Sequence, residues 1–211
     1  MTLALIETVR VRNGAAPLLG LHLNRLAIGC KALGIPLPKE IPIPAGGPDR
    51  VRRLEVGRVG MRVSEREVGP VAPVRLVTST VAHRPYPHKT TEREAFDRAL
   101  EEARRQGADE ALLLTPDGLV AEASVWGVFW WEGDRPAAPP LELGILPGVA
   151  RARIAELMGG IVERRVAPGE LRGRTIFLAN AARGVVEVAE WDGNPVPRSP
   201  ETERLRARFW P

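Results

Sequence analysis

The segment V-A-H-R-P-Y-P-H-K-T-T, residues 81–91, constrains the fold more than any other part of this chain. Pro85 and Pro87 lack backbone donors and fix φ near about −65°, so neither a helix interior nor a central strand runs through them. The chain is divided at this point into a shorter and a longer part. On both sides, short β-type runs alternate with single helices. Residues 3–12 alternate as a strand does and end at Asn13-Gly14. Residues 20–33 carry apolar groups at helical spacing and stop at Gly34. The Pro- and Gly-rich residues 35–48 read as a loop, 48–56 as a short helix, and 61–63 and 74–80 as strands. Beyond the prolines, Thr91 opens an amphipathic helix through a T-E-R-E capping box, closed by Gly107. A-L-L-L-T, the P-D-G turn and L-V-A-E-A-S-V-W-G-V-F-W-W read as strand, turn, strand. A helix enters at Gly148. Residues 161–166, 175–180 and 185–191 read as strands, and 200–209 as a last helix. The order predicts an α/β (α+β) chain in two lobes. A small N-terminal α/β domain covers 1–82, an interdomain linker 83–90 and a larger C-terminal domain 91–211.

Composition narrows the class. With 211 residues, 44% hydrophobic and 27% charged, the chain buries a real core. It has no apolar run of about 18 residues, which argues against a transmembrane helix. Its first residues meet charge at Glu7 and Arg10, which makes a poor signal peptide. Cys30 stands alone, excludes an internal disulfide and fits a reducing, cytoplasmic location. The net charge is +4, and acidic and basic residues alternate, as on a solvated surface rather than a nucleic-acid stripe. Almost every basic residue is Arg; only Lys31, Lys39 and Lys89 are Lys. Lysine can lose its proton and form an imine, which arginine cannot.

Four places could carry chemistry. Lys89 follows the rigid proline segment; it is either an exposed lysine before a helix or a positioned nucleophile. Glu122 interrupts an apolar strand, either on its solvent face or buried with a cationic partner. G-I-L-P-G-V-A-R, 144–151, opens a helix whose first N–H groups could hold an anion, although many plain loops look alike. L-A-N-A-A-R-G, 178–184, has small residues that let a ligand approach the backbone, or it is simply a tight turn. His22, His83 and His88 lack metal-ligand spacing, so no metal site is expected.

In this order and spacing the pieces resemble the class IV aminotransferase family, the fold-type IV enzymes of pyridoxal 5'-phosphate (PLP). They are I-E-T-V-R-V with N-G (6–14), H-L-N-R-L (22–26), H-K-T-T-E-R (88–93), D-E-A-L-L-L-T-P-D-G-L-V-A-E-A-S (109–124), and the segments 144–151 and 178–184. The forms H-K-T-T-x-R and N-A-x-R-G look most like those of the 4-amino-4-deoxychorismate lyases within the family. The resemblance implies a barrel-like larger lobe and assigns roles by position. Lys89 would be the catalytic PLP lysine. Arg25 and the backbone of Val149 and Ala150 would hold the phosphate, with Ala181 beside it. Glu122 would face the pyridine nitrogen. Asn180, Ala182 and Thr91 would lie towards the substrate, a small amino-bearing molecule.

The implied reaction converts 4-amino-4-deoxychorismate to 4-aminobenzoate and pyruvate, a step of folate synthesis. A branched-chain or D-amino-acid aminotransferase, or a non-catalytic PLP-binding homologue, are the other readings. A homodimer is the implied assembly. The chain departs from the family pattern in four ways. Ala150 stands where Thr is common, and Gly127 where Asn is usual. The segment before the first strand and the 64–72 loop are both short.

Overall fold

The computed structural model describes residues 3–42, 48–69 and 71–211. Parts of the loops expected over 35–48 and 64–72 lie outside those residues. The first strand forms as β1 (Leu5–Val11) and the first helix as α1 (Leu19–Leu33), ended by Gly34 at φ 61°. Alternation along β1 places Leu5, Glu7, Val9 and Val11 on its buried face. Leu26 and Cys30 of α1 pack with Leu5 and Val9. The approach is close: a Cβ on Gly29 would lie 2.7 Å from Leu5 Cδ2.

Residues 48–56, expected as a helix, are instead the strand β2 (Arg50–Gly57). It pairs antiparallel with β1 on one side and with β3 (Gly60–Glu67) on the other. Two ladders and the burial of Val51, Leu54 and Val56 outweigh the charged residues that read as helical. β3 also takes up the start of the expected 64–72 loop, tied across the ladder by Arg52 to Glu65.

The second sheet begins with β4 (Val74–Thr78), ahead of the lobe boundary expected at 82. Val74 and Leu76 are buried in the second sheet's core, which draws β4 into that sheet. From β4 the chain crosses through α2 (Glu94–Arg105) to the parallel strand β5 (Glu110–Leu114). Phe96, Ala99 and Ala103 form the buried stripe of α2. The expected capping box is absent, because the Thr91 hydroxyl instead accepts from Ala4 N.

β6 (Val120–Ala123) and β7 (Gly127–Glu132) replace the single strand expected there, separated by a bend at 124–126. β8 (Arg135–Ala138) was hidden in sequence by Pro136. α3 (Val149–Met158) follows, then β9 (Val162–Glu163), shorter than the strand expected over 161–166. β10 (Ile176–Asn180), β11 (Gly184–Trp191), β12 (Asn194–Pro195) and α4 (Pro200–Arg208) complete the chain, α4 capped by Ser199. The strands run β6-β5-β4-β11-β10-β7-β8-β9, with β12 on β11, and the sheet curls into a half-barrel. Successive β7 residues feed opposite cores. Val128 and Trp130 face inward, while Phe129 and Trp131 pack under α3 and α4. No helix among the described residues is long and apolar enough to cross a membrane.

The proline segment crosses from β4 to α2 between the two sheets, and both hold it. Ile6 N donates to Lys89 O at 2.7 Å, and Thr91 N to Ala4 O at 2.9 Å. On the other side, Tyr86 N donates to Gly144 O, and Thr90 N donates to the Tyr86 hydroxyl, which itself donates to Thr90 O. Gly144 sits at φ 76°, with Pro85 where a Cβ would need room.

Candidate functional site

A cavity of about 360 Å³ opens where the two sheets meet, lined by Arg25, Lys89, Glu122, Val149, Ala150, Asn180, Ala181 and Ala182 among others. Thus eight of the nine residues singled out in the sequence share one concavity. The ninth, Thr91, is not in its lining, and its hydroxyl is committed to Ala4 N, just before β1.

Lys89 is the centre of the electrostatics. Its amine makes no hydrogen bond or ion pair within the described chain. Burial, together with the nearby Arg93 and Arg25 guanidiniums, lowers its pKa to about 7; Glu7 and Glu122 offset this only in part. Half of such amines are neutral at neutral pH, which a nucleophile or base requires. The same shift bears on stability. Below pH 7 native and unfolded chains both hold the proton, and the native state carries the full cost of a buried ammonium. Between pH 7 and roughly 10.4 the unfolded chain binds more protons, so stability rises with pH. Lys89→Met is therefore expected to stabilise the cofactor-free protein by up to a few kcal/mol below pH 7, fading above roughly pH 10. Urea midpoints at pH 6 and pH 10 measure it; an unchanged midpoint at pH 6 would refute the assigned shift.

In the lining of the cavity Arg25 is gripped by Glu7, with Nε 2.9 Å from Oε1 and Nη2 2.5 Å from Oε2. His22, one helical turn before Arg25, places Nδ1 2.6 Å from the same Oε2. Burial pushes the Glu7 carboxyl up, but Arg25 and His22 outweigh it and hold the group below the usual carboxylate range. Burial also lowers the His22 imidazole against the pull of Glu7. His22 Nε2 is buried with no partner. Gly148 begins α3 without a side-chain cap, which leaves the first N–H groups of Val149 and Ala150 unpaired by the helix. A guanidinium and a helix start lining one cavity suit a phosphate dianion.

Glu122, in the same lining, is buried and not solvent-facing, and its side-chain partner is a histidine. Its Oε1 lies 2.9 Å from His83 Nε2 and accepts from Leu146 N at 3.2 Å. Oε2 has no hydrogen-bond partner in the described chain. A protonated ring nitrogen is the type of group that a free carboxylate oxygen receives. The cavity thus fits PLP at three independent points: an amine, an anion site and a ring-nitrogen acceptor.

Several supporting residues escaped the sequence reading. Glu7 had a signal, because it shares the buried face of an alternating strand with Leu5 and Val9. His83 has none, because nothing adjacent in sequence ties it to Glu122, 39 positions away. Glu110 lies buried beneath the 124–126 bend, taking hydrogen bonds from Ala111 N, Ser124 N and the Ser124 hydroxyl, and burial raises its carboxyl pKa. Arg93 fixes the same bend from in front through Ser124 O, and Asn180 through Val125 O. Asn180 Oδ1 also accepts from Ala182 N and Arg183 N, so this side chain shapes the turn beside the cavity.

A family model described as amino-transferase class IV matches residues 61–191, more than half of the chain. A branched-chain-amino-acid aminotransferase of Pseudomonas aeruginosa is 32% identical over 120 residues, which take in 53% of this chain and 39% of that protein. The match therefore spans well under half of that relative. Among solved structures, a branched-chain aminotransferase from Thermoproteus uzoniensis with norvaline gives a TM-score of 0.84 at 22% identity, over 98% of this chain and 84% of the other. A Legionella pneumophila protein named as a candidate 4-amino-4-deoxychorismate lyase gives 0.81 at 23%, over 96% and 88%. A hypothetical aminotransferase from Mycobacterium tuberculosis in its PLP-bound form gives 0.83 at 21%, over 98% and 86%. At these identities the structural likeness is one of fold.

Proposed function

The chain belongs to the class IV amino-transferase family, and from this we propose that it holds PLP on Lys89 and acts as a lyase on 4-amino-4-deoxychorismate. The observation that carries the reading is Lys89, held near pKa 7 in a cavity whose lining also holds an anion site and a free carboxylate oxygen. When bound, the cofactor supplies an electron sink conjugated to the amino-bearing carbon of the substrate. Arg25 and the α3 start would hold its phosphate, and Glu122 would keep its ring nitrogen protonated. Lys89 would remove the proton from the amino-bearing carbon of the substrate. The side chain of the substrate then leaves with the electron pair of its C–O bond and takes up a proton to become pyruvate. The ring becomes aromatic as 4-aminobenzoate.

The lyase form rests on H-K-T-T-E-R at 88–93 and N-A-A-R-G at 180–184. A second reading, a branched-chain aminotransferase, is supported by the 32% identity to the Pseudomonas aeruginosa relative. It shares every step through proton removal and then needs a 2-oxo acid. Purified protein given 4-amino-4-deoxychorismate alone is expected to release pyruvate. Turnover that starts only when 2-oxoglutarate is added would replace the lyase with the aminotransferase.

A further inference from the structure

The arginines lining the cavity differ in one respect. Arg25 donates to Glu7, Arg53 to Glu55, Arg66 to the Glu67 carbonyl, Arg93 to Ser124 O, and Arg151 to Pro139 O and Glu163. Arg183 donates from its side chain to nothing among the described residues, although it is half-buried. It sits in the turn between β10 and β11, its backbone N–H fixed by Asn180 Oδ1 at 2.8 Å. Its guanidinium carbon lies 5.3 Å from the centre of the Trp126 ring, on another wall of the same cavity. A cation–π contact of this kind uses none of the guanidinium's N–H donors in a hydrogen bond and leaves them for a planar acceptor. Burial and the charges of Arg66 and Arg104 all disfavour the cation, with Glu110 offsetting them in part. A half-buried cation without an acceptor, beside other cations, is a receptor for an anion that the protein does not itself supply.

We infer that Arg183 receives a second carboxylate of the substrate, so that the site selects amino acids or oxo acids carrying two carboxylates. This rests on the reading that the cavity holds PLP on Lys89, and it deepens that reading by naming the residue that recognises a second carboxylate. Arg66, on β3 of the small sheet, lines the same cavity and reinforces the field without being needed as the contact.

The test uses the PLP-loaded protein and two probes that differ by one carboxylate, 2-oxoglutarate and 2-oxobutyrate. Dissociation constants are read from the change in cofactor absorbance and, separately, by calorimetry. Wild type is expected to bind 2-oxoglutarate roughly tenfold or more tightly, as loss of a charge-assisted contact implies. Arg183→Gln should bring the ratio close to one while the cofactor band is unchanged, and Arg183→Lys should restore part of it. A wild-type ratio near one, or a ratio that persists in Arg183→Gln, overturns the assignment of Arg183 and leaves the PLP reading standing. Wild type that takes up no PLP overturns both.

Discussion

Lys89→Ala is expected to lower turnover by roughly 10³-fold or more, because one side chain serves as both covalent anchor and base. Borohydride reduction of the wild-type protein with PLP should leave the cofactor on the peptide that contains Lys89, and in Lys89→Ala on none. Lys31 and Lys39, the other lysines, are both exposed and lie outside the cavity lining. Cofactor fixed with equal yield to either of them would defeat the assignment. The pH dependence gives a second handle. The neutral amine attacks, so the rate of cofactor capture by the free protein should climb as pH rises through about 7 and level off above it. A rate that keeps rising towards pH 10 would mean that the amine is not activated.

The second large effect belongs to Glu122. Glu122→Gln preserves shape and the hydrogen bond from Leu146 N, but it no longer presents an anion to the ring nitrogen. Turnover should fall by roughly 10²- to 10⁴-fold, the range for losing a group on which proton transfer depends. PLP should still bind with full occupancy, since the anion site and Lys89 are untouched. His83→Gln removes only the partner behind the carboxylate and should cost far less, about tenfold. Single-turnover rates at saturating substrate, with cofactor counted by absorbance, separate the cases. Glu122→Gln within threefold of wild type would remove Glu122 from the chemistry.

Much of this site was legible in the sequence, and what was missed has physical causes. Local signals single out Lys89, Glu122 and the α3 start as candidates — a rare lysine, a charge in an apolar run, a glycine before a helix — each with a plain alternative, whereas Arg25 and the roles of all four follow from the resemblance in order and spacing. The residues that tune them carry no such signal. Glu7 grips Arg25 across 18 positions and His83 meets Glu122 across 39, so only the tertiary fold brings them together. The same applies to the elements. β1, α1 and α2 follow from periodicity, whereas β2 reads as helix from its charges until strands flank it on both sides. The bend at 124–126 divides a run that reads as one strand, because Glu110, Arg93 and Asn180 all hold it, and none of them is adjacent in sequence. Asn180 was legible as important, but its oxygen is taken by the turn.

The main-chain bonds from Ile6 and Ala4 to Lys89 and Thr91 span the seam between the sheets. Until that seam closes, Lys89 is an ordinary solvated lysine with a pKa near roughly 10.4, almost wholly protonated at pH 7. Docking raises its neutral fraction by roughly a thousandfold. The neutral amine at Lys89 that imine formation requires is therefore a product of folding and comes into being only with the finished molecule.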